Sequence, residues 1–113
     1  MVYHDTYWYS PTVDWGPIDQ HELLSTLFSA LARGGIVLVV DHAAVAGTDA
    51  HVSAKATHRI DPAVVLRDFT AAGFVLDAQS DLLRKRDDDR TRGVFDPAVK
   101  GRTDRFVMRF RKP

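Results

Sequence analysis

Residues 36–42 read Ile-Val-Leu-Val-Val-Asp-His. Five apolar residues, mostly β-branched, follow one another without polar alternation. A run of that kind predicts a strand covered on both faces, as in a parallel α/β sheet. Asp41-His42 closes the run, so it stands at the carboxyl end of the strand. In open α/β sheets ligands bind outside those ends. The sequence on either side supports an α/β chain. Upstream, Leu23, Leu24, Leu27, Phe28 and Leu31 recur at helical spacing. Asp19 and Glu22 have the spacing of a capping box, and Gly34-Gly35 is a fitting stop. Downstream, residues 43–58 are small and polar and read as a loop with a short helix. A second clear helix is expected over 62–72, with Asp61 as cap, Pro62 in the first turn and Gly73 as terminator.

Two further strands complete the pattern. Residues 74–78 (FVLDA) form one, and residues 105–111 (RFVMRFR) form the other. In the last, Phe106, Met108 and Phe110 alternate with Val107, Arg109 and Arg111, so one face is buried. No helix separates these two strands, and they can pair antiparallel. The expected sheet is therefore mixed, with about three strands: a parallel part, then a C-terminal antiparallel hairpin, flanked by helices. Between the strands, residues 84–92 (RKRDDDRTR) carry five basic and three acidic side chains. They read as a solvated loop. Gly101-Arg102-Thr103-Asp104 and Asp96-Pro97 read as turns, with a lid over the strand ends as the alternative.

Composition narrows the function. The 113 residues are one domain by length, with fifteen basic and fifteen acidic residues. That balance argues against nucleic acid or an anionic membrane as partner. No apolar run reaches the ~18 residues of a membrane span. The N-terminal residues lack the basic and apolar regions of a secretory signal, so a cytoplasmic protein is the expectation. There is no cysteine, hence no thiolate chemistry. Five histidines are present, and His4, His42, His51 and His58 with Asp5 and Asp41 could supply zinc ligands; none forms a ligand motif on a clear helix, so no metal is expected and a histidine metal site stays the third alternative.

Taken together, "YHDTYW" (3–8), "LARGGIVLVVDHAA" (31–44), "GTD" (47–49), "HRIDPAVVLRDFTAAGFVLDAQSDLLR" (58–84) and "VFDPAVKGRTDRFVMRFRKP" (94–113) resemble successive blocks of a family of predicted bacterial methyltransferases. These are class I S-adenosylmethionine-dependent enzymes. The resemblance covers nearly the whole chain and matches the C-terminal half of such an enzyme. It implies a partial Rossmann-like half-domain over residues 1–113, without the cofactor-binding half. No strand–Gly-x-Gly–helix unit occurs among the seven glycines.

The resemblance also implies a site. Tyr3-His4-Asp5 would lie at the carboxyl end of the family's fourth strand, where acceptor and methyl group meet. His4 and Asp5 are the candidate catalytic residues, as general base and orienter. The plainer alternative is a histidine in solvent or packed on Tyr7. Tyr3, Tyr7 and Trp8 are candidates to stack on a substrate, or else they cover the core edge. Asp41, His42, His58 and Arg59 complete the candidate substrate-binding set. The implied reaction is methyl transfer from S-adenosylmethionine to a small acceptor. Its cofactor site would come from a homodimer or a separate cofactor-binding chain. The alternative is a non-catalytic, truncated methyltransferase-like module that binds or dimerises.

Overall fold

Local chemistry builds each element where the spacing places it. The computed structural model describes residues 1–113. A single 3-10 turn, Tyr3–Thr6, is followed by helix α1, Gln20–Ala30. The Asp19 carboxylate accepts from Glu22 N at 3.0 Å and caps α1. Strand β1 spans Ile36–His42, so it includes the Asp-His pair. Helix α2, Ala50–Thr57, is capped by Asp49, and helix α3, Pro62–Ala71, is capped by Asp61. Gly73, at φ 99°, turns the chain out of α3 in the left-handed region that glycine occupies without cost. Strands β2, Val75–Ser80, and β3, Arg105–Arg111, follow.

The sheet departs from the expected one. Its order is β1-β3-β2, and both ladders are antiparallel. The antiparallel pairing of β2 with β3 is as expected. The parallel ladder is not there, and the partial Rossmann-like expectation finds no support in the sheet. The reason is where β3 lies. It enters between β1 and β2, with Val39 opposite Met108 and Leu76 opposite Phe110. The two outer strands therefore run in the same direction without touching.

That order also corrects the reading of β1 as covered on both faces. β1 is an edge strand. On one face Val39 and Asp41 are buried, while Ile36 and Leu38 on the other are 56% and 62% exposed. A continuous apolar run reports apolar side chains, but it does not report which neighbours cover them. The core lies on the face that carries Val39 and Asp41. There Phe69 of α3 stacks on Phe110 of β3, their ring centroids 4.3 Å apart. Phe74, Leu24, Val65, Ile60 and Phe106 close around them.

The charged loop is also more than a solvated face. Asp88 is 6% exposed and Arg59 is fully buried. Arg59 reaches Asp88 with two guanidinium nitrogens, at 2.8 and 3.1 Å. Two further donors, from Nη1 and Nε, meet the carbonyls of Ala43 and Arg92, at 3.0 and 2.9 Å. Asp104 receives Arg84, Arg90 and the Lys85 N–H. Asp104 N then donates to Asp88 at 2.7 Å. These bonds fold residues 81–104 back onto the carboxyl end of β1.

Candidate functional site

The carboxyl end of β1 faces the 3-10 turn. His4 lies in that turn, 4% exposed, and Asp41 of β1 is fully buried. Asp41 holds His4 at two points. The His4 backbone N–H donates to Oδ2 at 2.9 Å, and His4 Nδ1 lies 2.8 Å from Oδ1. A third donor, His42 N, reaches Oδ1 at 2.8 Å. Burial pushes the Asp41 carboxyl up, but the bonds and charge of His4 outweigh it and hold the group below its ordinary value. Asp41 is therefore an ionised carboxylate, and Nδ1 of His4 carries the proton between them.

The other ring nitrogen turns outward. His4 Nε2 is 3.1 Å from Asp5 Oδ1, and His58 Nδ1 is 3.9 Å from that oxygen. Asp5 and His58 are 38% and 33% exposed at their side chains, so solvent reaches this side of the cluster. His58 ends α2 with φ 54° and ψ 44°, a left-handed conformation that costs a non-glycine residue about 1–2 kcal/mol. His42 stands beside them, its ring centroid 6.1 Å from that of His4. Its Nδ1 meets Thr103 Oγ1 at 2.7 Å. Burial is the main cause that pushes the His42 pKa down to about 4, so its imidazole is neutral at pH 7.

The other nominated residues divide. Tyr3 and Tyr7 both donate their hydroxyls to Asp68 Oδ2 of α3, Tyr3 at 2.9 Å. Burial, then the Asp68 carboxylate, raises both phenols well above their ordinary value. The two tyrosines thus pin the 3-10 turn to α3. Trp8 lies outside the cluster, against Trp15 and under Lys55 Nζ, which is 4.3 Å from its ring centroid. Arg59 was a candidate for substrate contact, but it is sealed inside the loop network and cannot reach a substrate. His4 with Asp5 was the expected base and orienter. The orienting carboxylate is instead Asp41, while Asp5 sits at the mouth.

Two contributors were not nominated as site residues. Asp68 gives no local signal, being one of several charged residues on an amphipathic helix. Thr103 lies in a segment read as a turn. A separate groove of about 510 Å³ is lined by Tyr7, Tyr9, Pro11, His51, Val52, Lys55 and Ala56, and contains none of the cluster except through its neighbour Tyr7.

These residues do not form a cradle for S-adenosylmethionine. Gly47 is the one glycine between a strand and the following helix, and it donates its N–H to Asp61 at 2.8 Å. A phosphate-type or nucleoside-type glycine turn leaves such donors free for the ligand. Compared with known proteins, the chain matches no family profile, and neither curated proteins nor solved structures give a significant match.

Proposed function

We propose that the chain is the acceptor-side half of an S-adenosylmethionine-dependent methyltransferase. The observation that carries this reading is the Asp41-anchored His4, with Nε2 turned to a solvent-reached mouth at the carboxyl end of β1. The resemblance to predicted methyltransferases implies that His4, Asp5, Asp41 and His42 surround one site. In this reading His4 Nε2 takes the acceptor's proton, and Asp41 fixes the tautomer and stabilises the imidazolium. Asp5, His42 and His58 shape the mouth. Catalysis rests mainly on holding the acceptor in line with the methyl group.

The cofactor would be held by a second copy or a separate chain. β1 offers the place for it. Its outer edge pairs with no strand apart from the His42 carbonyl, which accepts from Ile60 N at 2.9 Å. A strand laid parallel on that edge would extend the sheet into a doubly wound one, the finer fold that the resemblance implies.

The test is titration of the purified chain with S-adenosylhomocysteine, with its mass in solution recorded on the same sample. Micromolar binding by an oligomer is the expected result. Absence of binding at every oligomeric state contradicts catalysis by this chain alone. It would favour the second reading, a non-catalytic association module. That reading rests on the apolar groove of about 290 Å³ along β1, lined by Val2, Leu23, Leu27, Val37, Leu38 and neighbouring residues.

A further inference from the structure

The bonding at Asp41 decides what the mouth can hold. Its two oxygens accept three hydrogen bonds, two of them from His4. His4 Nδ1 is therefore a protonated nitrogen, which leaves Nε2 as the ring atom able to take a ligand. It lies 3.1 Å from Asp5 Oδ1. Contact at this distance calls for a shared cation, either a proton or a metal ion. A third electron-pair donor, His58 Nδ1, faces the same point, and one ligand atom from each of the three residues lies within 4.8 Å of the other two.

Two imidazoles and a carboxylate, with no thiolate, are a donor set for zinc and its neighbours among the divalent transition metals. Bonds of about 2.0–2.2 Å in a tetrahedron place ligand atoms about 3.3–3.6 Å apart. The 3.1 Å pair already meets that separation closely. The 3.9 Å pair needs a shift of a few tenths of an ångström, and both of its side chains are about one third exposed and free to make it. The buried carboxylate behind His4 is the outer-shell partner that metal-bound histidines ordinarily have. It fixes the tautomer and raises the basicity of the ligating nitrogen.

We propose that His4 Nε2, Asp5 Oδ1 and His58 Nδ1 form a binding site for a divalent ion of the zinc class, with a further coordination position open to solvent. The site stands on this geometry and does not depend on methyl transfer. Where the methyl-transfer reading holds, the ion adds to it. An acceptor oxygen at the open position would lose its proton to solvent water because the ion lowers its pKa, and His4 would then serve as ligand rather than free base. A proton and a metal ion use the same Nε2 lone pair, so only one of these roles operates at a time.

The experiment is calorimetric titration of the chelator-treated chain with zinc chloride, repeated with cobalt(II) while recording its visible spectrum. One equivalent of zinc is expected to bind, with cobalt giving the intense bands of a four- or five-coordinate nitrogen–oxygen site. Asp5→Ala and His58→Asn are each expected to weaken zinc binding by more than about tenfold. Asparagine suits the left-handed backbone at position 58, so that variant should keep its fold. His21→Ala, on the exposed face of α1, should bind as the parent does. Failure to bind a stoichiometric ion overturns the proposal. So does binding that survives both variants, since the ion would then sit on other histidines. Neither measurement involves S-adenosylhomocysteine, so the site and the methyl-transfer reading can fail separately.

Discussion

Two clusters of charged and titratable side chains lie near the carboxyl end of β1, and they differ in whether their bonding capacity is used up. In the Arg59–Asp88–Asp104 network, guanidinium donors meet carboxylates or backbone carbonyls, and Arg59 has no contact with solvent. In the His4–Asp41–Asp5–His58 cluster only the inner half is committed. Asp41 is spent on His4 and His42, while Nε2 of His4 looks out to two partly exposed neighbours. A closed network of this kind holds a loop in place. An open one keeps an electron pair for a ligand. The same residue types thus serve structure in one place and chemistry in the other.

The largest expected effect comes from opening the closed network. Asp88→Ala leaves the buried Arg59 guanidinium without its carboxylate, at a cost of about 3–5 kcal/mol. Urea unfolding would measure this. A loss below about 1 kcal/mol would place the pair among ordinary surface bridges.

Acid should act on the same network. For Asp88, burial raises the carboxyl, but Arg59 and two backbone N–H groups overcome it and lower the group below its ordinary range. Asp104 is likewise pushed up by burial and then held lower by Arg84, Arg90 and the Lys85 N–H. The unfolded chain therefore binds more protons than the folded one in the acid range, and stability falls as pH falls. The contribution is complete above about pH 5 and is lost progressively below about pH 4. Melting temperatures measured from pH 7 down to pH 3 should follow that course. A flat profile would contradict it.

A smaller effect is expected at the anchor of the 3-10 turn. Asp68→Asn weakens the anchors of Tyr3 and Tyr7, and with them the turn that carries His4. The expected loss is about 1–2 kcal/mol. Zinc affinity should fall with it, although Asp68 does not touch the ion. On the open face of β1, Leu38→Lys should change the stability of a monomer by less than about 0.5 kcal/mol. Sedimentation of that variant checks whether copies meet along β1, since a charge there would disperse them.

What the sequence made legible follows from distance along the chain. Helix caps at Asp19 and Asp61 are settled by residues within one turn, and both helices lie where their spacing puts them. Strand β3 was readable because Phe106, Met108 and Phe110 alternate with less buried residues. Strand order was not readable, because an apolar run is equally suited to several neighbours. The insertion of β3 beside β1 is a choice between pairings far apart in sequence. The site was partly legible in the same way. His4, Asp5, Asp41 and His58 were all nominated, yet the partner of His4 was misassigned to its sequence neighbour. Arg59 was misplaced because Asp88 lies in a stretch where three consecutive aspartates look alike.

The comparison is tested most directly by urea unfolding of Asp5→Ala beside the parent chain, both without added metal. If Asp5 belongs to an open cluster kept for a ligand, its removal changes the unfolding free energy by no more than about 0.5 kcal/mol. A loss of more than about 2 kcal/mol would mean that Asp5 is spent on a structural ion pair with His4. The two clusters would then be of one kind, and the mouth at the end of β1 would hold no electron pair for a ligand.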